Sequence, residues 1–202
     1  MTDEDAARHK EKMVRRKALQ DAAVAARPIL AKGLLIVHTG AGKGKSTAAF
    51  GLALRALGRG HRVGVVQFIK GTWATGERAG FERFGDSIVW RTMGEGFTWE
   101  TQDRERDIAA ARAGWAEALR LMADPTIFLV LLDELNIALR YDQLPVDEVV
   151  AALRARRSDL HVVVTGRNAK PELIEAADLV TEMTAIKHHF DAGVRAQEGI
   201  EF

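Results

Sequence analysis

An α/β fold with a mainly parallel six-stranded sheet flanked by helices is predicted by three features of the 202-residue sequence. From Gly33 onward, short β-branched and aliphatic runs alternate with longer stretches of helical period. Each of the first five runs is followed by a polar or glycine-rich segment, as expected at the carboxyl edge of an open parallel sheet, where ligands bind. The first run enters a glycine-rich turn and then a helical stretch, the local context of a phosphate-binding loop.

Residues 1–28 read as a polar helical arm, with six Lys or Arg between residues 8 and 17 and an alanine-rich continuation ending at Arg27-Pro28. Such an arm is either a solvated helix or one that folds over a ligand or a neighbouring subunit. Residues 29–202 are the expected α/β domain. Its strands are "LLIVH", "RVGVVQF", "SIVWRT", "IFLVLLD", "LHVVVT" and "LVTEM". Between them, Ile108, Trp115, Leu119 and Met122 recur at helical spacing, as do Val146, Val149, Val150 and Leu153 after Pro145. Both faces are expected to lie in the core.

Composition removes several classes of function. A formal net charge of +1 gives no global attraction to nucleic acid or acidic membrane. Cysteine is absent, which excludes disulfides, thiolate metal sites and cysteine nucleophiles. The N-terminus is charged from the start and "IFLVLL" is too short to cross a bilayer, so a cytoplasmic location with no membrane or nucleic-acid partner is expected.

Residues 39–46 match G-x-x-x-x-G-K-[ST] except that Thr39 replaces the first glycine. Gly40, Gly42 and Gly44 let backbone N–H groups curl around anionic oxygens, and the helix beginning near Ser46 adds its positive end. Lys45 is the expected charge on the outer phosphates, and Ser46 a hydroxyl ligand to Mg²⁺. With Ala41, Lys43 and Thr47 completing the segment, residues 39–47 are the expected ATP site. The pattern assigns no particular role to Lys43. Arg167, after the fifth strand, offers a guanidinium to brace a triphosphate, or is an ordinary surface arginine.

"IFLVLLDE" ends an apolar strand in two carboxylates, the pattern of a Mg²⁺-organising acid facing a phosphate loop. If the strand persists, Asp133 and Glu134 point to opposite faces, so one of them belongs in the first coordination shell. Asp133 as a helix N-cap is the alternative. Phe97 and Trp99 stand among glycines in "GEGFTWETQD" and either cover a ligand or fold onto the core. The histidines form no H-E-x-x-H spacing, His188 and His189 point in different directions on a helix or a strand, and His161 reads as the start of a strand.

The segments "TGAGKGKSTAAFG", "VVQFIKGTW", "GEGFTWETQD", "LLDELNIALRYDQLP", "VVVTGR" and "KHHFDAGVRAQEGIEF" together make residues 8–202 similar to the P-loop type of corrinoid adenosyltransferase. The resemblance implies a P-loop NTPase, RecA-like fold and a loop that holds ATP in the reverse sense, its γ-phosphate where the α-phosphate usually lies. The implied reaction transfers the 5′-deoxyadenosyl group of ATP to the Co(I) centre of a corrinoid and releases triphosphate, in adenosylcobalamin biosynthesis or salvage. It further implies Lys45 neutralising the leaving triphosphate, and Ser46 and Glu134 holding Mg²⁺ or Mn²⁺. Phe97 and Trp99 would bind the corrinoid and exclude its lower axial ligand. The catalytic set is then Lys45, Phe97, Trp99 and Glu134. A homodimer, an N-terminal helix over the corrinoid, and flavodoxin or reduced flavin as electron donor complete what it implies. The rival readings are a RecA-like phosphotransferase or NTP hydrolase with Glu134 as base, and a nucleotide-gated interaction protein using the basic arm.

Overall fold

The computed structural model describes residues 3–28, 32–69, 76–93 and 103–201. The chain divides into two compact units, Met1–Ala31 and Lys32–Phe202, each described by itself. The first holds one helix, α1 (Asp3–Ala25), rich in Ala, Lys, Arg and Glu, which favour helix intrinsically. Exposed ion pairs one turn apart, Glu4 with Arg8 and Lys17 with Asp21, add a little support along it.

The second unit is a six-stranded sheet in the order β3-β2-β4-β5-β1-β6, formed by β1 (Leu35–Thr39), β2 (Arg62–Gln67), β3 (Ile88–Thr92), β4 (Ile127–Asp133), β5 (His161–Thr165) and β6 (Leu179–Glu182). Every pairing is parallel. Parallel strands covered on both faces need apolar side chains on both, which is why β4 reads as an unbroken apolar run up to Asp133. The covers are α2 (Lys45–Leu57), α3 (Gly76–Phe81), α4 (Arg104–Ala123), α5 (Leu135–Arg140), α6 (Val146–Arg154) and α7 (Pro171–Ala176). One core cluster joins α4, α5 and α6 to the sheet, and the other packs α2 with Phe81, Trp90 and the remaining strand residues.

One core expectation is corrected. Trp115 and Met122 are buried, but Leu119 is 40% exposed. The buried stripe of α4 runs instead through Ala111, Gly114, Trp115, Ala118, Leu121 and Met122. Small residues bring that helix close to the sheet: a Cβ on Gly114 would lie 3.1 Å from the Phe68 ring. The close approach rotates the stripe away from Leu119.

The sheet order places β5 between β1, which carries the phosphate loop, and β4, which carries the acids. Register aligns Gln67 with both Thr92 and Asp133, and Thr39 with Glu182. A row of polar residues therefore runs along the carboxyl edge.

Candidate active site

The loop between β1 and α2 is held from the side by the end of β6. The Thr39 carbonyl accepts from Met183 N at 2.8 Å, and Gly42 N donates to the Met183 carbonyl at 2.6 Å. Gly40 has φ +97°, and a Cβ there would lie 2.4 Å from the Met183 carbonyl oxygen, so the turn requires glycine for both conformation and space. Gly44 caps α2 in the left-handed region with no side-chain cap bond, which leaves the first amides of α2 available at the loop.

Lys45 lies folded into this loop. It is 7% exposed, and its Nζ donates to the Gly42 carbonyl at 2.5 Å. Burial pushes its ammonium below the usual lysine range, the Glu134 charge opposes this, and Arg167 and Lys43 add to it. Lys43 turns the other way and pairs with Glu201 of the C-terminal segment, whose other oxygen lies 3.6 Å from His189 Nε2. Thr39 and Gly42 are buried, whereas Ala41, Gly44, Thr47 and Arg167 are exposed.

The acids occupy the facing edge. Asp133 is 4% exposed; its Oδ1 accepts from Ser46 Oγ and Thr165 Oγ1, each at 2.8 Å, and its Oδ2 from Gln67 Nε2 at 3.2 Å. It is not a helix N-cap. That position falls to Glu134, which leaves the strand with φ +61° and makes no side-chain cap bond. The expected alternation of the two acids across a continuing strand therefore ends at Asp133. Glu134 N donates to Thr165 Oγ1 at 3.0 Å, so one hydroxyl links both acids. Behind them, Asn136 Nδ2 donates to the Gly166 carbonyl at 2.8 Å and ties α5 to the turn before Arg167.

Lys45, Ser46, Glu134 and Arg167 thus share one edge with the glycine loop, while Phe97 and Trp99 lie outside the described residues. Sequence reasoning missed Gln67 and the Thr165 hydroxyl. The available signal was their position at strand ends within segments already marked as ligand-facing.

A family model described as ATP:corrinoid adenosyltransferase BtuR/CobO/CobP matches residues 31–202. The chain belongs to the ATP:corrinoid adenosyltransferase family. A second model, described as cob(I)alamin adenosyltransferase N terminal, matches residues 1–24 of this family member. A corrinoid adenosyltransferase of Pseudomonas aeruginosa is 58% identical over 196 residues, 96% of each chain. One from a Sinorhizobium species is 54% identical over 202 residues, covering 99% of this chain and 94% of its own. Among solved structures, the flagellar accessory protein FlaH of Methanocaldococcus jannaschii matches with a TM-score of 0.50 and 12% identity, over 75% of this chain and 71% of its own. That likeness is one of fold, a parallel sheet flanked by helices. Among the described residues, no helix is long and apolar enough to cross a membrane.

In this adenosyltransferase fold, burial and the Asp133 charge push the Glu134 carboxyl up to about 7, with Lys45 and Arg167 pulling it down. Between the ordinary value of 4.5 and about 7, the unfolded chain has released this proton while the folded chain keeps it. Raising the pH through that window therefore removes stability. Ligand-free wild type should lose melting temperature relative to Glu134→Gln as the pH rises from about 5 to about 8. A gap between the two that stays constant with pH would remove the raised carboxyl from the account.

Proposed function

We propose that this family member transfers the 5′-deoxyadenosyl group of ATP to the Co(I) centre of a corrinoid and releases intact triphosphate, in adenosylcobalamin biosynthesis or salvage. Residues 29–202 are the transferase domain and residues 1–28 a helical arm of a cytoplasmic homodimer. The observation that carries this reading is the loop itself. Thr39 stands in place of the first glycine, and the Gly42 amide is committed to the Met183 carbonyl. With the first glycine replaced and one loop amide already paired within the protein, the cradle departs from that of a full phosphate loop, which supports ATP held in the reverse sense with its 5′-carbon open to attack.

In that displacement the cobalt electron pair forms the Co–C5′ bond while the C5′–O5′ bond breaks and its pair leaves with triphosphate. No proton has to be removed, so Glu134 is not required as a base. Residues 39–47 and the N-terminus of α2 bind and orient the triphosphate. Lys45, held in a mostly buried pocket, opposes the charge that grows on it, and Arg167 adds a second cation at the rim.

The donor set suits a hard divalent cation. Among the described residues, no three His, Asp or Glu side chains gather into a cage, so an ion here would rely on a few protein oxygens with phosphate and water. Glu134, which burial pushes toward its neutral form, is a carboxylate that a cation would favour. Ser46 and Glu134 would hold Mg²⁺ or Mn²⁺. When bound, the ion neutralises charge on the departing triphosphate.

Phe97 and Trp99 are assigned to the corrinoid, excluding its lower ligand so that flavodoxin or reduced flavin can deliver the electron that makes Co(I). On this assignment, Trp99→Ala loses far more activity in an assay begun from Co(II) corrinoid than in one begun from chemically generated Co(I). Equal losses would make Trp99 a packing residue.

The deciding experiment mixes the protein, MgATP and chemically reduced corrinoid. Triphosphate in equal amount to a light-sensitive alkyl-cobalt product is the expected result. ADP and phosphate with unchanged corrinoid would replace transfer by hydrolysis.

A further inference from the structure

Gln67 is the last residue of β2, 6% exposed, and flanked in register by Thr92 on one side and Asp133 on the other. Its amide has two chemically different ends, an acceptor oxygen and a donor nitrogen. Trp90 Nε1 lies 3.0 Å from one end, and an indole N–H can only donate. That end must be the oxygen. Thr92 Oγ1 donates to the same oxygen at 3.2 Å. The NH₂ group is therefore turned toward Asp133, 3.2 Å from Oδ2.

The arrangement matters because of how Asp133 is held. Ser46 and Thr165 both donate to Oδ1, and among the described residues Gln67 alone holds Oδ2. The last torsion of an aspartate is broad and roughly two-fold, so the rotamer does not fix the carboxylate plane. Two donors on one oxygen leave that oxygen as a pivot. The donor on the other oxygen sets the rotation.

The same tryptophan reaches the phosphate loop by a second route. The Trp90 ring stacks on Phe50 at 5.3 Å between centroids and 14° between planes. Phe50 lies on α2, one turn after Ser46. A closed circuit results, running from Ser46 through Asp133, Gln67 and Trp90 to Phe50 and back along α2 to Ser46.

We propose that Gln67 is a positioning residue for the triphosphate end of the site: its amide, locked by Trp90 and Thr92, fixes the Asp133 carboxylate and through it the direction of the Ser46 hydroxyl. The inference rests on the nucleotide-site reading given under Proposed function. It concerns how ATP and a divalent ion are held, not which group is transferred.

The test is equilibrium ATP binding to the full chain, with and without Mg²⁺, without corrinoid. Gln67→Glu places an acceptor against Asp133, and Gln67→Met removes the donor at similar size. Each should raise the Mg²⁺ concentration that half-saturates the binding enhancement by about tenfold or more, the scale seen when the partner of a metal-site ligand is lost. ATP affinity without Mg²⁺ should change by less than about twofold, since those contacts are not touched. Trp90→Phe keeps a ring against Phe50 but frees the amide to turn. It should shift the Mg²⁺ dependence in the same direction by a smaller factor, and add nothing further in the Gln67→Met background.

Equal weakening with and without Mg²⁺, additive losses in the double variant, or wild-type binding indifferent to Mg²⁺ would each overturn the proposal. Trp90→Phe alone still decides it if both Gln67 variants fail to fold. A wild type that binds MgATP with the expected variant pattern but forms no alkyl-cobalt product would sink the transfer reading and leave Gln67 in its role.

Discussion

Lys45→Ala is expected to reduce adenosyl transfer by on the order of a hundredfold to a thousandfold, the range for losing one preorganised charge partner of a transition state. The effect should be large because Lys45 is 7% exposed and already aimed into the loop. In wild type, its ammonium rests on the Gly42 carbonyl. A triphosphate arriving there meets a positive charge that burial has stripped of much of its water, and the exchange strengthens an existing contact. Removing the side chain also leaves the Gly42 carbonyl without this donor and takes from Glu134 a charge that favours its ionised form. Lys45→Arg should not rescue, since a planar guanidinium does not replace a compact ammonium in so confined a position. Turnover from Co(I) corrinoid and ATP affinity, measured together, check the prediction. Normal turnover in the alanine variant would take the loop out of the mechanism.

Gly40→Ala should be the most damaging small substitution in the loop. The residue has φ +97°, and the new Cβ would meet Met183 backbone atoms at 2.4 and 2.7 Å. Backbone cannot turn aside as a side chain can. Conformational strain and overpacking together predict a cost of about 2–5 kcal/mol. For a chain of this size, that is a fall in melting temperature of roughly 5–15 °C. ATP binding should fall with it, because the strand that braces the loop is the element displaced. Gly51→Ala is the matched comparison: it lies on α2 with nothing near the added Cβ. There, the better helix former should leave stability equal or raise it by up to about 1 kcal/mol. Wild-type melting of Gly40→Ala would show that β6 does not hold the loop as described.

The strands were legible because a parallel sheet covered on both faces needs runs such as "IFLVLL", and few other structures do. The loop was legible because its glycines, lysine and serine are contiguous in sequence. What escaped was interaction across distance. Gln67 meets Asp133 across 66 positions, and Lys43 meets Glu201 across 158. Neither pairing follows from periodicity, since both depend on strand order. Leu119 misled for a related reason: spacing gives a stripe, but Gly114 sets how the helix is turned upon the sheet. Glu134 departed from alternation because the chain enters the left-handed region immediately after the strand, a conformation that residue type alone does not announce.

The position of β1 has a consequence for how the molecule is made. Its partners are β5 and β6, with Leu35 beside Val162 and Ile36 beside Leu179. A ribosome releases the loop early and these neighbours late. A nascent chain that has emerged only as far as residue 160 exposes β2, β3 and β4, which pair with one another, while the strand bearing the loop has neither neighbour. Long-range parallel pairing is slow to form and leaves apolar edges exposed meanwhile. The capacity to bind a nucleotide is thus acquired last during synthesis, and ATP can stabilise finished chains while offering nothing to truncated ones.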